Sequence, residues 1–279
     1  MRSFIKKEIP LVMALSPLCW QVIFLYVPLF ILFLLPFFGG NLRENWEEIF
    51  SPHYFYILWR SLCFALATVI LSLLIAYPTA YTLSFSIQRG KVWWVGALFL
   101  PFLTNFLLHL ASWTFLLEPQ GIINGLLLRL ALIQDPLPLL HSPFSTLLMM
   151  VYYYFPLMVL PLFSCFEQME RSLFEAARDL GAHPKQIMSR ITLPLSLPAI
   201  RTGSFLVFIP AFGEFIIPEL IGGNRSVFAG GVISTYILNA DTQHLGMAFT
   251  LMSGLFLGLS GWLLAFLFRW LERRGRNPS

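Results

Sequence analysis

The sequence predicts an all-α integral membrane protein with six transmembrane helices, and three observations carry that expectation. The 279 residues are 57% hydrophobic and 11% charged, with a mean hydropathy of +0.74. A soluble domain carries about 25% charged residues, so this chain lacks the polar surface to cover itself in water. Six apolar runs reach the roughly 20 residues that a span needs at about 1.5 Å rise each. Lys and Arg then sort to one side. Fourteen fall in the N-terminus, the second loop, the fourth loop and the tail, whereas the opposite loops hold Arg43, Arg129 and Arg225, with Arg60 at the outer edge of the second span. Basic residues favour cytoplasmic segments, so both termini and the fourth loop are expected to face the cytoplasm. The formal charge of +4 reflects this sorting and calls for no nucleic-acid partner.

The first run, Leu11–Phe38, is 28 residues long. A secretory h-region has about 7–15, and no small-x-small cleavage pattern follows, so this run reads as a retained span. The outer loop Gly39–Tyr56 carries Glu44, Glu47 and Glu48. Ser61–Ile87 and Val92–Leu117 form the second and third spans around a turn with Arg89 and Lys91. The next loop, Glu118–His141, contains the apolar stretch Ile122–Leu132, too short to span and suited to the outer interface. Ser142–Phe166 is the fourth span, and 167–201 is a cytoplasmic loop. Thr202–Ile221 is the fifth span despite Glu214 and Glu219, and Leu245–Phe268 is the sixth. The whole, 1–279, reads as one transmembrane domain. Trp46, Trp59 and Trp113 near span ends fit an aromatic belt. Cys19, Cys63 and Cys165 lie far apart in apolar runs without ligand spacing, which favours small buried hydrophobes over a metal site.

The fourth loop has the physics of a helix–turn–helix. Leu173, Ala176, Ala177 and Leu180 recur at helical spacing. Gly181 suits the left-handed conformation that closes a helix. Pro184 suits the first turn of another, which runs through Ile187 and Ile191 until Pro194 interrupts it. Small Ala side chains permit close approach of a partner surface, and Glu175 offers it a charge.

Glu175-Ala176-Ala177, Gly181 and Ile191-Thr192-Leu193-Pro194 together resemble the EAA signature of ABC-importer permeases. Further stretches resemble the spermidine/putrescine branch over nearly the full length, and within it the first of two permeases. These are Leu100–Asn105, Gly121–Asn124, Pro136–Leu140, Tyr152–Pro161, Pro210–Phe215 and Pro218–Gly223. The resemblance implies a type I ABC-importer permease fold in a bacterial inner membrane. It implies no enzyme activity of the chain's own, and import of a polyamine by alternating access. Two ATPase subunits would dock beneath the pair of permeases, and this chain would couple to them through Glu175, Ala176, Ala177, Gly181, Ile191, Leu193 and Pro194. A second homologous permease would complete the pathway, and an external substrate-binding protein would deliver the solute. The chain itself would bind no cofactor, since ATP and Mg would sit on the ATPase; it carries no Gly-rich phosphate-binding motif. One departure stands out: His109-Leu110-Ala111-Ser112-Trp113 lies where the family often shows an Arg-containing stretch.

Ionisable groups inside spans mark functional positions. Counted from Thr202, Glu214 lies about 18 Å along the fifth helix and Glu219 about 26 Å. Pro210, Gly213 and Pro218 weaken the helix there, and broken helix is tolerated where it lines a cavity or packs on protein. Glu214, Glu219, His109, Tyr154 and Phe212 are therefore the candidate pathway residues, with aromatic faces adding cation–π attraction. Iron, thiamine or an oxyanion is the alternative solute. An ion-gradient-driven secondary transporter is the alternative class, although neither an internal repeat nor coupling-ion sites are evident.

Overall fold

The computed structural model describes residues 15–38, 47–87, 89–223, 227–239 and 241–276. The start of the first run, its flanking Arg2, Lys6 and Lys7, and Arg43, Glu44, Trp46 and Arg225 lie outside the described residues. No strand occurs among the described residues. The helices are α1 (Val27–Phe38, after a π-helical stretch Val22–Tyr26), α2 (Pro52–Phe85), α3 (Lys91–Leu103), α4 (Phe106–Leu117) and α5 (Ile122–Arg129). Then come α6 (Pro143–Glu167), α7 (Arg171–Asp179), α8 (Pro184–Ile187), a π turn Met188–Thr192 and α9 (Leu193–Phe212). Three more follow: α10 (Ile216–Ile221), α11 (Ala229–Leu238) and α12 (Gln243–Arg276).

Among the described residues, four helices are long and apolar enough to cross a membrane: α2, α6, the combined Pro184–Phe212 and Gln243–Arg273. A fifth is reached if the pair on either side of Thr104 and Asn105, bent by 88°, is one span. The all-helical class holds, and length and composition give four or five of the six expected spans among the described residues. Each difference has a local cause. Asn105 accepts from the Leu107 N–H at 2.9 Å and starts a new helix inside the expected third span. The first run contributes the shorter apolar helix Leu15–Ile31. The helix that carries most of the expected fifth span, Thr202–Ile221, begins at Pro184, inside the expected loop, and stops at Phe212. Pro194 does not interrupt it. The π turn just before carries hydrogen bonds one residue longer, with the Leu193 N–H reaching the Met188 carbonyl, so the helix accommodates a ring that would clash in a regular one.

The chain divides into two compact units. In the first, 1–54 with 232–254, buried Tyr54 packs on Phe249 at 5.2 Å between ring centres and shares a 2.9 Å hydroxyl–hydroxyl contact with Tyr236. In the second, 55–231 with 255–279, α6 and α9 pack closely. A Cβ on Gly203 would come within 2.7 Å of Met158 Sδ, which is why a residue without a side chain sits there. Small hydroxyl residues are buried along these faces, among them Ser61, Thr68, Ser72, Thr146, Ser196 and Ser204. Such residues let helices approach and hydrogen-bond across the contact. Ser61 does so by accepting the Ala229 N–H at 2.9 Å, which caps α11. Large apolar side chains such as Trp59, Leu74, Phe115, Leu255 and Trp262 remain exposed, the pattern of a lipid-facing surface. Cys19 and Cys63 share that exposure and Cys165 is half-buried, so the expected burial of the cysteines does not hold.

Candidate functional site

α7 is a nine-residue amphipathic helix, closed as the spacing predicts. Gly181 adopts φ +78°; its N–H donates to the Arg178 carbonyl at 2.8 Å, and the Ala182 N–H donates to the Ala177 carbonyl at 2.9 Å. This pair of bonds is the Schellman closure. Nothing lies within 4 Å of a Cβ built on Gly181, so the elbow needs glycine for its backbone alone. On the far side, Pro184 starts α8, and the Gln186 side chain accepts the His183 N–H at 2.8 Å. Glu175 and Ala176 are exposed and Ala177 is half-exposed, so the small, charged face of α7 is free within this chain. Ile191 and Pro194 line a cavity of about 420 Å³ with Leu173, Arg190 and Glu272, and Leu193 is exposed. Arg201 Nη1 meets Glu272 Oε1 at 3.0 Å and ties α9 to α12 beside it.

The candidate pathway residues fall into two groups. Glu214 sits two residues beyond the end of α9, and both its oxygens have partners. Tyr154, itself buried, donates its hydroxyl to Glu214 Oε2 at 2.6 Å. Oε1 accepts the backbone N–H groups of Phe215 and Ile216 at 3.0 Å and of Ile217 at 3.4 Å. Glu214 thus caps α10. Gly230 packs beside it, where a Cβ would come within 2.3 Å of the Gly213 carbonyl oxygen. Glu219 is exposed on α10.

The second group surrounds the α3–α4 break. One ring nitrogen of His109, Nε2, hydrogen-bonds to the Thr104 hydroxyl, and Nδ1 lies 3.1 Å from the Tyr152 hydroxyl. Tyr153 stacks on Phe102 at 5.3 Å and meets Tyr154 edge-on at 5.4 Å, so this aromatic cluster runs from the break to the Glu214 pair. Two of the candidate residues are engaged within the chain. Phe212 is 3% exposed and stacks on Phe256 at 6.2 Å, so its face is taken by packing. Tyr154 offers Glu214 its hydroxyl and presents no free face. Asn124 escaped sequence reasoning: fully buried, it donates to the Leu137 carbonyl at 3.0 Å and accepts the Leu137 N–H at 2.9 Å, pinning the second outer loop. An Asn within an apolar stretch was the available signal.

A family model described as binding-protein-dependent transport system inner membrane component matches residues 18–277. The chain belongs to that family. It is therefore a transport component of the ABC-importer permease type, not an enzyme. Among curated relatives, a spermidine/putrescine transport system permease protein, PotB, from Haemophilus influenzae is 32% identical over 82% of this chain and 83% of its own. PotB of Escherichia coli K12 is 34% identical over 77% of this chain and 78% of its own. The expected resemblance to the spermidine/putrescine branch holds, and within it falls on PotB. Among solved structures, a bacterial ABC transporter involved in import of the acidic polysaccharide alginate aligns with a TM-score of 0.70 at 20% identity, over 98% of both chains. That likeness carries the permease fold.

Proposed function

We propose that this permease imports a polyamine of the spermidine/putrescine class by alternating access. Similarity to PotB over most of the chain is the observation that carries the solute. Two ATPase subunits dock beneath the permease pair, one of them on α7 of this chain through Glu175, Ala176 and Ala177, with Gly181 setting its angle and Ile191, Leu193 and Pro194 forming the adjoining wall. The exposure of that small-residue face supports the assignment. ATP and Mg reside on the ATPase, and this chain binds no cofactor. A second homologous permease completes the pathway, and an external binding protein delivers the solute, in keeping with the family's dependence on such a protein. Both termini and α7 face the cytoplasm, as the basic residues of those segments favour.

Glu214 and Glu219 bring negative charge to the outer part of the path, where a cation enters; His109 and Tyr154 act behind them as positioning groups. The test is reconstitution with the ATPase, partner permease and binding protein in proteoliposomes. ATP-driven uptake of labelled spermidine or putrescine, competed by polyamines and not by sulfate, iron or thiamine, is expected. Uptake driven by an ion gradient without ATP would overturn the reading.

A further inference from the structure

Both arms of the α7–α8 segment are fastened to one stripe of α2. Before the Gly181 elbow, Phe174 is the buried side chain of α7, and its ring meets Phe85 at 5.1 Å between centres, edge to face. Its apolar neighbours do not share that burial: Leu173 on α7 is 46% exposed and Leu180, just past its end, 89%. Beyond the elbow, the Tyr77 hydroxyl lies 3.1 Å from Ser196 Oγ and donates to Met188 Sδ at 3.9 Å, so it holds the π turn and the base of α9. Tyr77, Tyr81 and Phe85 follow one another at four-residue spacing, which aligns them along a helix face.

Phe166 fills the space between these attachments. It is 1% exposed, and its ring lies 5.3 Å from Tyr77, 5.8 Å from Tyr81 and 6.1 Å from Phe85. The ends of α2 and α6 are locked beside it by Lys91, whose Nζ pairs with Glu167 Oε1 at 2.6 Å and donates to the Ser84 carbonyl at 2.8 Å. A packed interior has few voids, so a push on one ring is passed to its neighbours rather than absorbed.

We propose that Phe174, Phe85, Phe166 and Tyr77 form an aromatic relay that makes α2 the receiver of ATPase motion. Displacement of α7 reaches α2 through Phe174 and Phe85, and the π turn, held by Tyr77, moves with it. These are positioning residues. The proposal rests on the reading of α7 as the ATPase-docking helix.

The test uses the full reconstituted complex with spermidine as the probe solute, reading ATPase copurification, ATP hydrolysis and uptake together. Phe174→Ala is expected to keep the ATPase bound and hydrolysis within about twofold, while uptake per ATP falls about tenfold, the scale of a typical coupling free energy. Phe174→Tyr, which restores a ring, is expected to recover uptake per ATP. An unchanged ratio, a proportional fall of uptake and hydrolysis, or loss of the ATPase from the complex would each overturn the relay. Ala177→Arg tests the underlying docking reading separately: it is expected to expel the ATPase, and wild-type copurification with wild-type uptake would remove that reading whatever Phe174 does.

Discussion

Glu214 offers one oxygen to Tyr154 and the other to the first N–H groups of α10, so its charge serves the fold before it serves a solute. The two roles separate by substitution. Glu214→Gln keeps a side-chain oxygen for the cap, and is expected to preserve yield and lower spermidine uptake about tenfold, equivalent to about 1.4 kcal/mol. Glu214→Ala removes the acceptor altogether and leaves the Tyr154 hydroxyl unpaired, costing about 1–3 kcal/mol; thermal unfolding in detergent reads that loss. Equal uptake by the Gln variant and wild type would confine Glu214 to capping. His109 stands at a similar junction. Its two ring nitrogens join Thr104 in the helix break to Tyr152 on α6. His109→Phe keeps the ring and loses both bonds, and is expected to raise hydrogen exchange at 104–109, each bond contributing about 1 kcal/mol.

At the scale of elements, the elbow after α7 was legible because a single glycine after a small-residue helix has a specific backbone use. Gly181→Ala tests it. No neighbour opposes the added methyl, so the cost is that of a left-handed backbone alone, about 1–2 kcal/mol. Membrane insertion is expected to be unaffected and ATPase-coupled uptake to fall, measured in the same vesicles. The breaks in longer helices were less legible. Uncharged runs mark what dissolves in lipid, but they do not mark where a helix stops. Thr104 and Asn105 end one helix and cap another inside a run that hydropathy joins. The helix from Pro184 to Phe212 starts among Lys185, Gln186 and Arg190, which hydropathy assigns to a loop. Prolines misled in the same way, since Pro194 stands inside a helix whose preceding π turn accommodates it. The aromatic contacts around Phe166 were beyond reach altogether: Phe85, Phe166 and Phe174 come together only once α2, α6 and α7 pack.

For the whole molecule, apolar surface and basic residues answer different questions. Exposed rings such as Trp59, Phe115 and Trp262 need a lipid solvent, whereas the distribution of Lys and Arg chooses which end of each helix stays in the cytoplasm. The aqueous ends near α7 carry Arg171, Arg178, Lys185 and Arg190, and the last helix closes with Arg269 and Arg273. If that bias sets orientation, a cytoplasm-active reporter fused after residue 279 is active, and a periplasm-active one is silent. A cysteine introduced at Glu175 should resist a membrane-impermeant thiol reagent in intact cells and react in inside-out vesicles. Cys19 and Cys63 are exposed on helix surfaces, so both are first replaced by Ser to clear the background. Labelling of the Glu175 position from outside intact cells would invert the topology. It would also remove α7 from the reach of any cytoplasmic ATPase, and with it the proposed route of energy into the permease.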